Sequence, residues 1–71
     1  MCDGCASLKV GRRIRMLRLE LGLSQEALAA AAELDRSYLG QVERGEKNIT
    51  LKNVFKIADA LEIEPYLLFT E

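Results

Sequence analysis

Apolar positions recur with a helical period along almost the whole chain. Val10, Ile14, Leu17 and Leu21 step by four, three and four residues, which is one face of a first helix. Gly22 suits the left-handed position that follows a helix and predicts its end. Ser24 is a good N-cap for a second helix over 24–32. That helix is nearly all alanine, and small side chains let another helix come close. Glu33 and Leu34 make a turn, Asp35 caps a third helix running to about Arg44, and Gly45 stops it. After the loop 46–49, Thr50 caps a fourth helix whose apolar stripe is Leu51, Val54, Phe55, Ala58 and Leu61. Glu64 and Pro65 open a last short helix, with proline at a tolerated first-turn position. No run alternates with period two for long enough to make a strand. The expected fold is all-α with five helices: one domain over 9–71 behind an N-terminal tail, 1–8.

Seventy-one residues allow one domain with a small core. The chain has no histidine, so it lacks the commonest general base and the commonest metal ligand. It also lacks the phosphate-loop, nucleophile-elbow and zinc-protease motifs. An enzyme is therefore not expected, and neither is a cofactor. No stretch is long and apolar enough to cross a bilayer, and no secretory signal pattern opens the chain, so a cytoplasmic, membrane-free protein is expected. The net charge of −1 argues against a nucleic-acid partner until it is resolved along the chain. Residues 1–56 carry all ten basic groups and seven acids, a net +3; residues 57–71 carry four acids and no base, a net −4. Such asymmetry suggests one basic working surface and an acidic end with another task.

The stretch DRSYLGQVERGEKNIT, residues 35–50, sharpens this. Its helix offers Leu39 and Val42 to a core, but its outward groups are Arg36, Ser37, Tyr38, Gln41 and Arg44, with Gly40 among them. An ordinary solvated face would be richer in Lys and Glu. Two short helices joined by a tight turn suggest a helix-turn-helix. Counting from Gln25, the fifth, eighth, tenth, fifteenth and eighteenth residues are Ala29, Ala32, Leu34, Leu39 and Val42. The first is small where the helices would cross, and the others are apolar where the crossing angle must be held.

The run LGLSQEALAAAAELDRSYLGQVERGEKNITLKNVFKIADAL resembles the DNA-binding domain of the phage-repressor-like (Cro/C1, XRE-type) helix-turn-helix regulators. Within that group, LDRSYLGQVERGEKNITLKNV is most similar to the small controller proteins of restriction–modification systems. The resemblance covers about residues 9–69. It implies a five-helix repressor-like fold and a double-stranded DNA operator as partner. It also implies control of restriction–modification genes and of the protein's own promoter, by activation at low occupancy and repression at high, with RNA polymerase a further candidate partner. One departure is Glu33, where the family usually has glycine in the turn. A non-glycine residue in the left-handed region costs on the order of 1–2 kcal/mol, so strain is expected there.

In a helix-turn-helix the N-terminal part of the second helix enters the major groove. That assigns Arg36, Ser37, Tyr38, Gly40 and Gln41 to DNA. Arg36 suits guanine O6 and N7, with a phosphate contact as its plainer role. Ser37 suits a base or a phosphate. Tyr38 offers a ring to thymine methyls and a hydroxyl to a phosphate, unless it belongs to the core. Gln41 suits adenine or the backbone, and Gly40 would leave room for close docking. Gln25, at the start of helix two, suits a phosphate. Arg44, Lys47 and Asn48 follow the recognition helix; the resemblance implies that they grip the sugar-phosphate backbone. It also implies a structural ion pair between Arg18 and Glu43. Arg12, Arg13 and Arg15 read as a solvated basic face.

Two-fold dimers of such domains read two half-sites roughly 34 Å apart, so a homodimer on a pseudo-palindrome is expected. Ile63, Tyr66, Leu68 and Phe69 are the interface candidates, while Leu67 is expected to close the core. Two other readings compete. One is a protein-interaction module on the same fold, an antitoxin or adaptor. The other is a thiol or zinc sensor built on Cys2 and Cys5, although two cysteines without histidine supply only half of a structural zinc site.

Overall fold

Four α-helices carry the fold: α1 (Asp3–Glu20), α2 (Gln25–Ala32), α3 (Arg36–Glu43) and α4 (Leu51–Leu61). The computed structural model describes residues 3–69, with side chains from Leu8 onward. No strand occurs among the described residues. The fifth helix expected from sequence is a 3-10 turn, Pro65–Leu68, whose Leu67 and Phe69 amides bond three residues back, to Glu64 and Tyr66. The expected tail is helical from Asp3 onward and forms the first turns of α1. Cys2 lies outside the described residues, as does the side chain of Cys5. Among the described residues no helix is long and apolar enough to cross a membrane.

The helices stop in one way. A residue in the left-handed region follows each: Gly22 (φ +72°), Glu33 (+58°), Gly45 (+76°) and Glu62 (+58°). The next amide then bonds five residues back, Leu23 to Arg18, Leu34 to Ala29, Glu46 to Gln41 and Ile63 to Ala58, which satisfies carbonyls the helix end leaves open. Glu33 thus adopts the conformation that its place in the turn demands, and Glu62 does the same after α4. At the starts, Ser24 Oγ accepts from the Ala27 amide (3.0 Å) and Thr50 Oγ1 from the Asn53 amide (3.2 Å). Asp35 holds the extended N-cap conformation before α3, but its side chain makes no capping bond, contrary to expectation.

α1 packs on α3, α2 on α3 and α4, and the 3-10 turn on α4 and α1. Between them lie Ile14, Leu28, Leu39, Val42, Val54, Ile57, Ala58, Leu61 and Leu68, with Ala29 and Ala32 at the close approach of α2. Fully burying a side chain of the Leu or Ile class stabilises by about 1.5–3 kcal/mol, so a few such residues dominate so small a core. The apolar stripes are rotated from the sequence reading. On α1 the buried line runs Val10, Ile14, Arg18, and Leu21 is exposed beside the Gly22 turn. On α4 it runs Val54, Ile57, Ala58, Leu61, leaving Leu51 67% and Phe55 51% exposed. Leu68, expected at a dimer interface, is 1% exposed and belongs to the core; Leu67 is half-buried beside it. Arg13 is not merely solvated, because its Nε donates to the Leu67 carbonyl (2.9 Å) and ties the 3-10 turn to α1.

Gly11 sets the distance between α1 and α3. A Cβ there would run into the Val42 carbonyl oxygen and come within 2.9 Å of the Glu43 carbonyl oxygen. Both are backbone atoms of α3, so neither can swing aside. Gly11→Ala is expected to destabilise by about 1–3 kcal/mol, the usual penalty for overpacking. Gly22→Ala is expected to cost less, about 1 kcal/mol, because its Cβ meets no atom and only its positive φ is strained. Thermal melting of the two variants checks the order.

Candidate nucleic-acid interface

The α1, α2 and α3 elements meet at a buried carboxylate. Glu43 ends α3 with its side chain 2% exposed. Its Oε2 accepts from Arg18 Nε (2.8 Å), and its Oε1 from Arg18 Nη2 (3.0 Å) and Gln25 Nε2 (3.1 Å). The remaining terminal nitrogen of Arg18, Nη1, donates to the Leu23 carbonyl (2.8 Å). An ionised carboxylate only accepts, so the Gln25 NH2 must face it and the Gln25 carbonyl oxygen must face away.

That oxygen turns toward an open depression of about 360 Å³ lined by Gln25, Arg36, Ser37, Gly40, Gln41 and Arg44. Six of the nine residues assigned to DNA from sequence therefore lie together. Arg36 and Ser37 are exposed on the first turn of α3, and Gln41 is half-buried one turn on. Gly40 differs from expectation. It is buried on the floor of the depression, with the nearest atoms to a would-be Cβ being Arg44 Nη1 (3.2 Å) and Gln25 Oε1 (3.6 Å). What glycine admits at this point is the protein's own side chains.

The other three residues lie outside. Tyr38 is half-buried against the core, and its hydroxyl accepts from Asn53 Nδ2 of α4 (3.0 Å). The phenol can still donate its own proton outward. Lys47 and Asn48 are exposed in the loop after α3. Arg44 is paired with Glu46, through Nε to Oε2 (2.9 Å) and Nη2 to Oε1 (3.2 Å). The hydrogen bonds to Glu46, and then its charge, push the Arg44 guanidinium above its ordinary value. In turn Arg44 holds the Glu46 carboxyl below the usual carboxylate range, chiefly through the same hydrogen bonds. Sequence reasoning missed Gly11, Asn53 and Glu46. An isolated glycine inside a helical pattern is a signal for the first. Glu46 stands two residues from Arg44, whereas Asn53 gives no local sign.

Two short helices set across each other, with basic, amide and hydroxyl groups gathered on their open side, have the build of a small DNA-binding domain. A helix-turn-helix family model matches residues 14–68, and the chain belongs to that family, of XRE type. Among curated proteins, Control protein C.BamHI of Bacillus amyloliquefaciens is 41% identical over 59 residues, covering 82% of this chain and 73% of that one. Control protein C.MunI of a Mycoplasma species is 38% identical over 65 residues, covering 90% and 88%. Among solved structures, the restriction-modification controller protein C.AhdI from Aeromonas hydrophila superposes with a TM-score of 0.87 at 56% identity, covering 89% of this chain and 96% of that chain.

Replacing one partner of the buried pair leaves an uncompensated charge. Glu43→Ala is expected to lose about 3–5 kcal/mol, enough to unfold much of the population at 37 °C in so small a domain. Gln25→Ala removes one hydrogen bond at the edge of the network and is expected to cost about 1 kcal/mol. Denaturant unfolding of both variants measures the difference.

Proposed function

We propose that this chain is a sequence-specific DNA-binding transcriptional regulator. In this reading it controls restriction–modification genes and its own promoter, as a homodimer on a pseudo-palindromic operator. One observation carries the reading: the depression across α2 and α3 gathers Gln25, Arg36, Ser37, Gln41 and Arg44 in a chain that matches a restriction-modification controller over 96% of that protein. The helix-turn-helix is α2, the Glu33–Leu34 turn and α3, within a domain that extends through the 3-10 turn. Arg36 and Ser37, at the open end of α3, read base edges. Gln25, Arg44, Lys47 and Asn48 contact the phosphate backbone, and Tyr38 donates its hydroxyl proton to it. Gly40 supports these contacts from beneath. The protein works on cytoplasmic DNA without catalysis, and as an activator it would meet RNA polymerase.

The dimer surface in this reading is the C-terminal end. Tyr66 and Phe69 are exposed there and Ile63 is half-buried, far along the chain from α3. A double Tyr66→Ala, Phe69→Ala variant is expected to sediment as a monomer, at a concentration where the parent sediments as a dimer.

Footprinting on the DNA upstream of the coding region tests the reading directly; a protected, near-palindromic repeat is expected. Arg36→Ala is expected to lose about 1–3 kcal/mol on that site and to relax preference at one base position. Equal loss on mixed-sequence DNA would make Arg36 a phosphate contact. Binding that ignores salt between about 50 and 200 mM would favour a protein partner instead.

A further inference from the structure

The residue that follows each left-handed helix end has the same task at three of four corners. Leu23, Leu34 and Ile63 are apolar and pack against the core, as such positions commonly do. After α3 the corresponding residue is Glu46, which is exposed. The fold does not use its side chain. Instead the carboxylate reaches back and takes two donors of Arg44, Nε and Nη2. Arg44 is one of the two cations lining the depression, the other being Arg36, and its Nη1 lies over Gly40. A carboxylate at the rim of an anion-binding surface is out of place by charge.

We infer that Glu46 is an affinity-limiting residue of the proposed DNA interface: its carboxylate occupies the guanidinium edge that a DNA phosphate would otherwise take. The inference rests on the DNA-binding reading above. Carboxylate and phosphate both accept from guanidinium in the same two-pronged geometry, so they compete for one edge. In the free protein both partners are solvated and the exchange is easy. In a complex a phosphate reaches that edge only by displacing the carboxylate, and Glu46 keeps it in a share of the bound molecules. Binding at this corner therefore gains less than a lone arginine would supply.

Glu46→Gln keeps the size and an acceptor oxygen but removes the charge. On a mixed-sequence duplex the variant is expected to bind about fivefold tighter at ~0.15 M salt, with the slope of log K against log salt steeper by about 0.9, the signature of one more neutralised phosphate. In an Arg44→Ala background the same substitution is expected to give no such gain. Melting midpoints of all variants, expected to stay near that of the parent, report that each is folded. Unchanged or weaker binding by Glu46→Gln overturns the inference, since Glu46 would then orient Arg44 productively. An equal gain with and without Arg44 also overturns it, because the effect would be plain repulsion between carboxylate and DNA. A parent protein that binds no duplex at any salt concentration refutes the DNA-binding reading itself, a result distinct from either.

Discussion

A carboxylate buried at the junction of three helices has to find donors, because an uncompensated charge in the interior would cost several kcal/mol. Glu43 finds them on α1 and at the start of α2, and Arg18 spends its remaining terminal nitrogen on the corner between those helices. The relative placement of α1, α2 and α3 is thus fixed by one charge and its partners. The constraint also reaches the surface. Gln25 is held by its NH2, so its carbonyl oxygen is the atom turned toward the depression. An ion pair that reads as purely structural therefore also decides which hydrogen-bonding atom the proposed interface presents.

The second constraint is closeness. α1 and α3 approach until only hydrogen fits at Gly11, which brings Arg18, two turns further along α1, to Glu43. Short helices also need abrupt ends, and each reverses through a left-handed residue. Glycine serves at two of these ends. Glutamate serves at the other two at an energetic cost, which is bearable because Leu34 and Ile63, next in the chain, are drawn into the core.

Much of the fold was legible in local chemistry. Ser24 and Thr50 cap as their sequence positions predict, Gly22 and Gly45 stop helices, and the spacing counted from Gln25 marks four buried residues and the half-buried Leu34. What local pattern did not reveal was rotation. A period near 3.6 identifies a face only to within one residue either way, and the partner helix selects which edge is covered. Hence Leu21, Leu51 and Phe55 lie outside while Ile57 and Arg18 lie inside. The same limit applies to the site. The residues that line the depression are near neighbours on two helices and could be gathered from sequence. The burial of Gly40 beneath Gln25 and Arg44, and the tie from Tyr38 to Asn53, depend on side chains brought together only by packing.

Charge counting along the chain points to the half that carries the proposed interface, but the number of basic groups there overstates the cations that half offers. The ten basic groups of residues 1–56 include Arg18, which is neutralised in the interior, Arg13, whose guanidinium holds the 3-10 turn, and Arg44, which is paired with Glu46. Arg36 and Lys47 make no ion pair among the described residues. On the proposed interface the attraction for DNA therefore depends less on the number of basic residues than on which of them can exchange an internal partner for a phosphate. Arg18 cannot, because its partner is buried with it. Arg44 can, because both members of its pair are already in water. The chain's net charge of −1 is compatible with the proposed DNA binding for this reason: the proposed contact cations Arg36, Arg44 and Lys47 are few and close in sequence, and the four acids of residues 57–71 come later in the chain.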